Sequence, residues 1–275
     1  MSGRKSVDLH VHSCYSDGKL TPDELAVRAR VNNVIALAIT DHDTMAGTDE
    51  KLEACRRYDI ECVFGVELSC ELAGRETHIL SLFADPDADC LDRIARLSGG
   101  RRQRMVDMLK RLARLGIMVE MADLPVAEDG VYGRPHLARA LVAKGVVRSV
   151  NEAFGRYLYD GGPVHINKTR LPAEEGIELA KSLGGVAVVA HPGVSGLLDD
   201  LDALVGMGLD GVEVYHPKHG GETIAKLLRY CRDRGVLVSG GSDFHAPGDG
   251  ADIGGAKAPV DLLEPLRELA ATRKG

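Results

Sequence analysis

Seven short apolar runs rich in β-branched residues recur along the chain with helix-like stretches between them: VDLHVH, VIALAIT, ECVFGVELS, THILSLF, GGVAVVAHPG, GLDGVEVYH and GVLVSGGSDFH. This rhythm is the strongest constraint on the fold. Strands alternating with helices build parallel βαβ units, and about seven of them form a barrel or a doubly wound sheet. The first run is followed by TPDE, where Thr21 caps a helix, Pro22 sits in its first turn and Glu24 completes a capping box. Residues 8–18, DLHVHSCYSDG, thus read as a strand and the loop after it. The rhythm breaks between residues 88 and 165, which read as helices throughout, with Met105, Met108, Leu109, Leu112 and Leu115 at helical spacing. We expect a strand-bearing unit from 1–87 and 166–275 and a helical insertion from 88–165 that covers the site as a lid.

At 275 residues the chain can bury a substantial core. The six cysteines are scattered with no CxxC pair, which argues against a zinc ribbon or a disulfide framework. A formal charge of −7 argues against a protein that coats DNA, while leaving room for a local basic patch. MSGRKSVDLH carries no apolar leader, and no apolar run approaches the roughly 18 residues of a membrane span. A cytoplasmic protein with no membrane partner is the expectation.

The ten histidines fall at strand ends, in loops after strands, or in the insertion. In parallel α/β folds the carboxyl ends of the strands form the functional face, since their loops converge there. His10 and His12 lie two apart on one strand, so both point the same way while Val7, Leu9 and Val11 face the helices. Such a pair can grip a metal or be two interior imidazoles. Asp17 precedes Gly18, whose turn can aim the carboxylate back at the site. AITDHDT ends a strand with His42 between two acids, each able to orient it. GVELS puts Glu67 in an apolar strand, where an unpaired carboxylate is costly to bury and a metal or cationic partner is needed. His78, His191, Asp243 and His245 stand at other strand starts and ends.

DLHVHSCYSDG, TDHDT, GVE, HIL, AHPG and GSDFH, in that order and over nearly the whole chain, resemble the polymerase-and-histidinol-phosphatase (PHP) superfamily. The resemblance implies an α/β fold, a distorted (β/α)7 TIM-like barrel, with a cluster of two to three divalent metals, manganese, iron or zinc, at its strand ends. It suggests one metal held by His10, His12, Glu67 and Asp243, a second by Glu67, His78 and His191, and a third by Asp17, His42 and His245. Asp8 shares a strand face with the first pair but matches no ligand position, which leaves it an orienting or core residue.

Within the superfamily, the insertion and GRPHLA look most like the branch acting on nucleoside 3′,5′-bisphosphates and the 5′ ends of short RNA. In that branch an Arg and a His of the insertion bind phosphate, here Arg134 and His136, and an Arg fork opening a helix is a sound anion site. Lys168, Arg101, Arg102 and Arg104 are further candidates for phosphate or RNA contacts. His216 and His219 in EVYHPKHG depart from the branch's pattern. The expected reaction is phosphoester hydrolysis by hydroxide between two metals bridged by Glu67, with Asp243 in the centre and His136 or His216 protonating the leaving oxygen. The partner would be a small phosphorylated nucleotide or short RNA. Alternatives are a phosphatase of histidinol phosphate or another small phosphomonoester, an amidohydrolase, and an inactive nucleotide- or metal-binding module. Intact ligand positions speak against the last.

Overall fold

A computed structural model describes residues 5–125, 130–168 and 170–273. β1 (Ser6–Val11), α1 (Pro22–Val31), β2 (Val34–Ile39), α2 (Thr48–Arg57) and β3 (Glu61–Val63) make a parallel sheet in the order β1-β2-β3. The capping box is formed: Glu24 N–H donates to Thr21 Oγ1 and Thr21 N–H to the Glu24 carboxylate. The run ECVFGVELS divides at Phe64, and β4 (Gly65–Leu72) begins a second sheet with β5 (Arg75–Leu82). α3 (Ala88–Arg114), α4 (Arg134–Ala143) and α5 (Val150–Ala153), with a π-helical turn at Phe154–Leu158, follow before β6 (Leu171–Pro172). Then come α6 (Ala173–Ser182), β7 (Val186–Val189), α7 (Leu201–Gly206), β8 (Gly211–Tyr215), α8 (Gly221–Arg234), β9 (Leu237–Gly240) and α9 (Leu263–Ala271). The second sheet runs β6-β4-β5-β7-β8-β9.

No closed parallel barrel is seen among the described residues. The described strands make two sheets with no closed ladder, and β5 is antiparallel to both β4 and β7. The reason is local: only Ala73 and Gly74 separate β4 from β5, both at positive φ (50° and 77°), the geometry of a tight hairpin. Parallel neighbours need a crossover of about a dozen residues or more. Single bridges, Val11 to Phe244 and His42 to Glu67, join the sheet edges.

Val7, Leu9 and Val11 are fully buried, the first two in a cluster with Leu263 and Leu266 of α9, the last against Leu25 of α1. Each such side chain stabilises the fold by roughly 1.5–3 kcal/mol. The insertion has its own core, in which Met105, Met108 and Leu112 of α3 meet Leu137 and Leu141 of α4 and Leu158. Leu115, which shares their spacing, lies beyond the last helical turn and is exposed. All six cysteines are free. No helix among the described residues is long and apolar enough to cross a membrane.

Candidate metal centre and substrate pocket

Alternation along β4 sends Val66 and Leu68 into the core and Glu67 to the opposite face. There the Glu67 carboxylate, with no solvent exposure, is ringed by five imidazoles. Its Oε2 lies 3.3 Å from His10 Nε2, 3.1 Å from His12 Nε2 and 2.9 Å from His42 Nδ1. Its Oε1 lies 2.7 Å from His78 Nδ1 and 3.4 Å from His191 Nε2. Asp243 Oδ1 completes the group at 3.6 Å from His10 Nε2 and 3.4 Å from His12 Nε2. Asp17 Oδ1 reaches His245 Nε2 at 3.2 Å and His42 Nε2 at 3.8 Å. All nine residues singled out as ligands therefore meet in one place. Closely packed donor sets lie at His10, His12 and Glu67, at His42, Glu67 and His78, and at His12, Asp17, His42 and His245.

The donors fit a metal better than they fit one another. Both Glu67 oxygens, Asp17 Oδ1, His42 Nδ1 and His78 Nδ1 are buried without a hydrogen-bond partner, despite contacts as short as 2.7 Å. A native interior seldom tolerates such orphans, and a cation shared among them resolves the cost. The outer nitrogens of the rings are meanwhile occupied. His10 Nδ1 faces Glu213 Oε1 at 3.0 Å, His191 Nδ1 faces Ser195 Oγ at 2.9 Å and His245 Nδ1 faces the Asp243 carbonyl at 2.9 Å. A ring that donates outward keeps a lone pair pointing inward, the arrangement of metal-bound imidazoles. Burial alone would raise the Glu67, Asp17 and Asp243 carboxyls, but the facing imidazoles hold all three well below the usual carboxylate range. Burial pushes His42 down to about 4, whereas, against burial, Glu67 holds His78 up at about 9 and Asp17 holds His245 up at about 10.

Backbone strain and close packing fix the loops. Asp43, His191 and Asp243 hold positive φ of 51°, 33° and 53°, a conformation costing about 1–3 kcal/mol per residue that clusters at functional sites. A Cβ on Gly18 would lie 2.2 Å from the His12 carbonyl oxygen, and one on Gly241 would lie 2.3 Å from His10 Cβ. Asp8 accepts from the backbone N–H of Ser242 and Gly254, so it orients the loop after β9 rather than facing the cluster. Asp41 accepts from Ser13 N–H, Ser13 Oγ and Ser16 Oγ and pairs with buried Lys51 at 2.6 Å, which anchors the loop after β1.

Beside the cluster lies a cavity of about 220 Å³ bordered by Asp17, His42 and His78 of the cluster, by Arg101, Arg104, Arg134, Lys168 and Arg170, and by the acids Glu76 and Asp160. Burial and then neighbouring Arg101 push Lys168 down to about 8. Arg104 donates to the Ile166 carbonyl, and Arg134 donates to the Leu158 carbonyl and to Asp160. Arg101 is buried, its guanidinium bound to Asp43 at 2.6 Å and Ser69 Oγ at 2.9 Å, so it holds α3 to the sheet as well as lining the cavity. Arg102 sits outside, over the Tyr132 ring. His136 is not at the cavity surface: fully buried on the first turn of α4, it accepts the Gly133 N–H through Nδ1. His216 accepts the Lys218 N–H through Nδ1, which turns Nε2 toward Asp243 Oδ2 at 3.7 Å. His219 ties β8 to the loop after β7, donating from Nδ1 to the Val214 carbonyl and accepting Gly193 N–H at Nε2.

Two functional neighbours escaped the sequence reading. Glu213, buried on β8, bonds both the His10 ring and the His191 backbone N–H at 2.7 Å. Its signal, an acid inside the apolar run GVEV, is the one that exposed Glu67. Arg170 lines the cavity and pairs with Glu76 at 2.9 Å.

The PHP domain family matches residues 8–124. The chain is 32% identical over 97% of its length, and 97% of the relative's, to a 3′,5′-nucleoside bisphosphate phosphatase of Chromobacterium violaceum. It is 33% identical over 96% of its length, and 98% of the relative's, to a 5′-3′ exoribonuclease of Haemophilus influenzae. A Bifidobacterium adolescentis structure whose description places it among metal-dependent phosphoesterases superposes with a TM-score of 0.88, at 30% identity and 97% coverage of both chains.

Proposed function

The chain belongs to the PHP family, and from that premise we propose that it is a metal-dependent phosphoesterase acting on nucleotides, which removes the 3′-phosphate of nucleoside 3′,5′-bisphosphates and degrades short RNA from the 5′ end. The observation that carries this reading is the juxtaposition of an orphaned, imidazole-ringed carboxylate, Glu67, with a cavity lined by arginine and lysine. Two relatives matched over nearly their whole length, a bisphosphate phosphatase and an exoribonuclease, support it.

In this reading His10, His12, Glu67 and Asp243 hold one ion, Glu67, His78 and His191 a second, and Asp17, His42 and His245 a third. Glu67 suits the shared position because its two oxygens face different imidazoles. Manganese, iron or zinc matches the mixed donors, and when bound supplies the Lewis acidity that activates water and offsets phosphoryl charge.

The protein's own groups do the rest. Arg104, Arg134, Lys168 and Arg170 bind the phosphate that does not react, and so set the distance from that anion to the metal cluster. Residues 88–165 act as a lid in that they supply Arg104 and Arg134. Glu213 fixes the His10 tautomer, and His216 turns an unpaired Nε2 toward Asp243, 3.7 Å away.

Phosphate release across adenosine 3′,5′-bisphosphate, 5′-phosphorylated short RNA (read as mononucleotide release), histidinol phosphate and AMP tests the reading. Turnover of the first two, at least tenfold above the others in kcat/KM, is expected. Preference for histidinol phosphate, or turnover of none, would contradict it.

A further inference from the structure

A second, larger opening of about 790 Å³ shares Asp17, Pro135 and Phe154 with the cationic cavity. It reaches the cluster at Asp17, Asp243 and His245, while the cationic cavity reaches it at Asp17, His42 and His78. Phe154 borders both, with the Arg134 guanidinium 5.8 Å from its ring centroid. Lys19, Arg139, Asn151 and Lys218 line the larger groove, with Asp249 the acid on its rim. Lys19 and Lys218 are exposed and make no salt bridge among the described residues. Lys19 is carried on a backbone tied to the cluster, its N–H donating to the His245 carbonyl at 2.8 Å.

We propose that this groove is the subsite for RNA lying 3′ of the scissile phosphate, so that the protein accepts a single-stranded oligoribonucleotide threaded from the cationic cavity, past the cluster, into the groove. The proposal rests on the phosphoesterase reading and extends it. Hydrolysis of either substrate makes and breaks the same bonds: a water oxygen joins phosphorus, the P–O3′ bond breaks, and O3′ takes a proton. With a bisphosphate the products are a nucleoside 5′-phosphate and inorganic phosphate. With RNA they are a nucleoside 5′-phosphate and a chain shortened by one residue, which carries the phosphate as its new 5′ end. The two substrates thus differ only in what lies beyond the scissile phosphorus.

A site built for the bisphosphate alone has no use for a second opening several times the size of the first that also reaches the cluster, at Asp17, Asp243 and His245. The larger volume suits about two nucleotides. Cationic side chains along a groove, with an aromatic ring at its mouth, are the features by which single strands are held without base readout. Each cycle also regenerates the 5′-phosphate that the cationic cavity binds.

The test compares adenosine 3′,5′-bisphosphate with a 5′-phosphorylated RNA pentamer, using metal-supplied wild type and a Lys19→Glu, Lys218→Glu double variant. Both lysines are exposed, and circular dichroism verifies that the fold is kept. We expect KM for the pentamer to rise roughly tenfold or more and its log–log salt slope to shrink by about one to two, one per lost phosphate contact. KM for the bisphosphate should move less than about twofold. Equal shifts for both substrates, no shift for the pentamer, or a wild type that turns over the bisphosphate but not the pentamer would overturn the groove assignment. A wild type that turns over neither would instead contradict the phosphoesterase reading on which it rests.

Discussion

Glu67 and Glu213 are the same physical case, a fully buried carboxyl on an otherwise apolar strand, and they do different jobs because of what faces them. Glu67 meets five imidazoles and keeps its oxygens unpaired, whereas Glu213 uses both of its own on His10 and His191. Replacing Glu213 by Gln should weaken metal affinity by about 10–100-fold, the usual effect of losing a partner behind a metal ligand. Titration against a competing chelator reads it, and unchanged affinity would remove Glu213 from the site. Lys168, pushed down to about 8 first by burial and then by Arg101, should lose its charge as pH rises through that value. KM for a phosphorylated substrate should accordingly climb above about pH 8, up to tenfold per unit, and Lys168→Arg should flatten the climb. The metal-competent residues were legible in the sequence, since period-2 spacing aligned His10 with His12 and the cost of a buried acid exposed Glu67. Glu213 offered the same cue, but its value depends on a ring 203 residues away. His136 was misplaced because a helix-opening RPH predicts an anion site equally well when the imidazole turns inward to cap its own helix.

Among the elements, strands and helix starts could be read from short-range pattern: each apolar run forms a strand, ECVFGVELS contributing to two, and Thr21 and Glu24 cap α1. Direction and closure could not. They turn on the two-residue connection at Ala73 and Gly74, and on how far the edges of the sheets lie apart after the nine strands among the described residues are placed. Two contacts that fix the loop ends give testable consequences. Lys51 on α2 is buried against Asp41, so Lys51→Ala leaves a buried, unpaired carboxylate and should cost about 3–5 kcal/mol in urea unfolding. A loss below about 1 kcal/mol would show that the loop after β1 is held by the serine contacts alone. Gly241→Ala drives a methyl into the His10 backbone and Cβ. We expect it to lower metal content and turnover together, by more than it lowers thermal stability.

At the scale of the whole molecule, a chain of net charge −7 concentrates cations where they face the imidazole cluster. The overall charge repels nucleic acid in general, while the local field admits phosphate beside the cluster. Net charge is legible in sequence, but the convergence of Arg104, Arg134, Lys168 and Arg170 is not, because they come from α3, α4 and the segment before β6. Bound metals would link the two sheets through Glu67 of β4 and through His10 of β1 and His12 just after it, so chelation should lower Tm as well as activity. The most direct measurement is the rate of phosphate release from adenosine 3′,5′-bisphosphate by the manganese-supplied protein, before chelation, after chelation, and after manganese is restored. The account predicts loss of at least about a hundredfold on chelation and recovery on restoring the ion. A rate that survives complete removal of metal would contradict it.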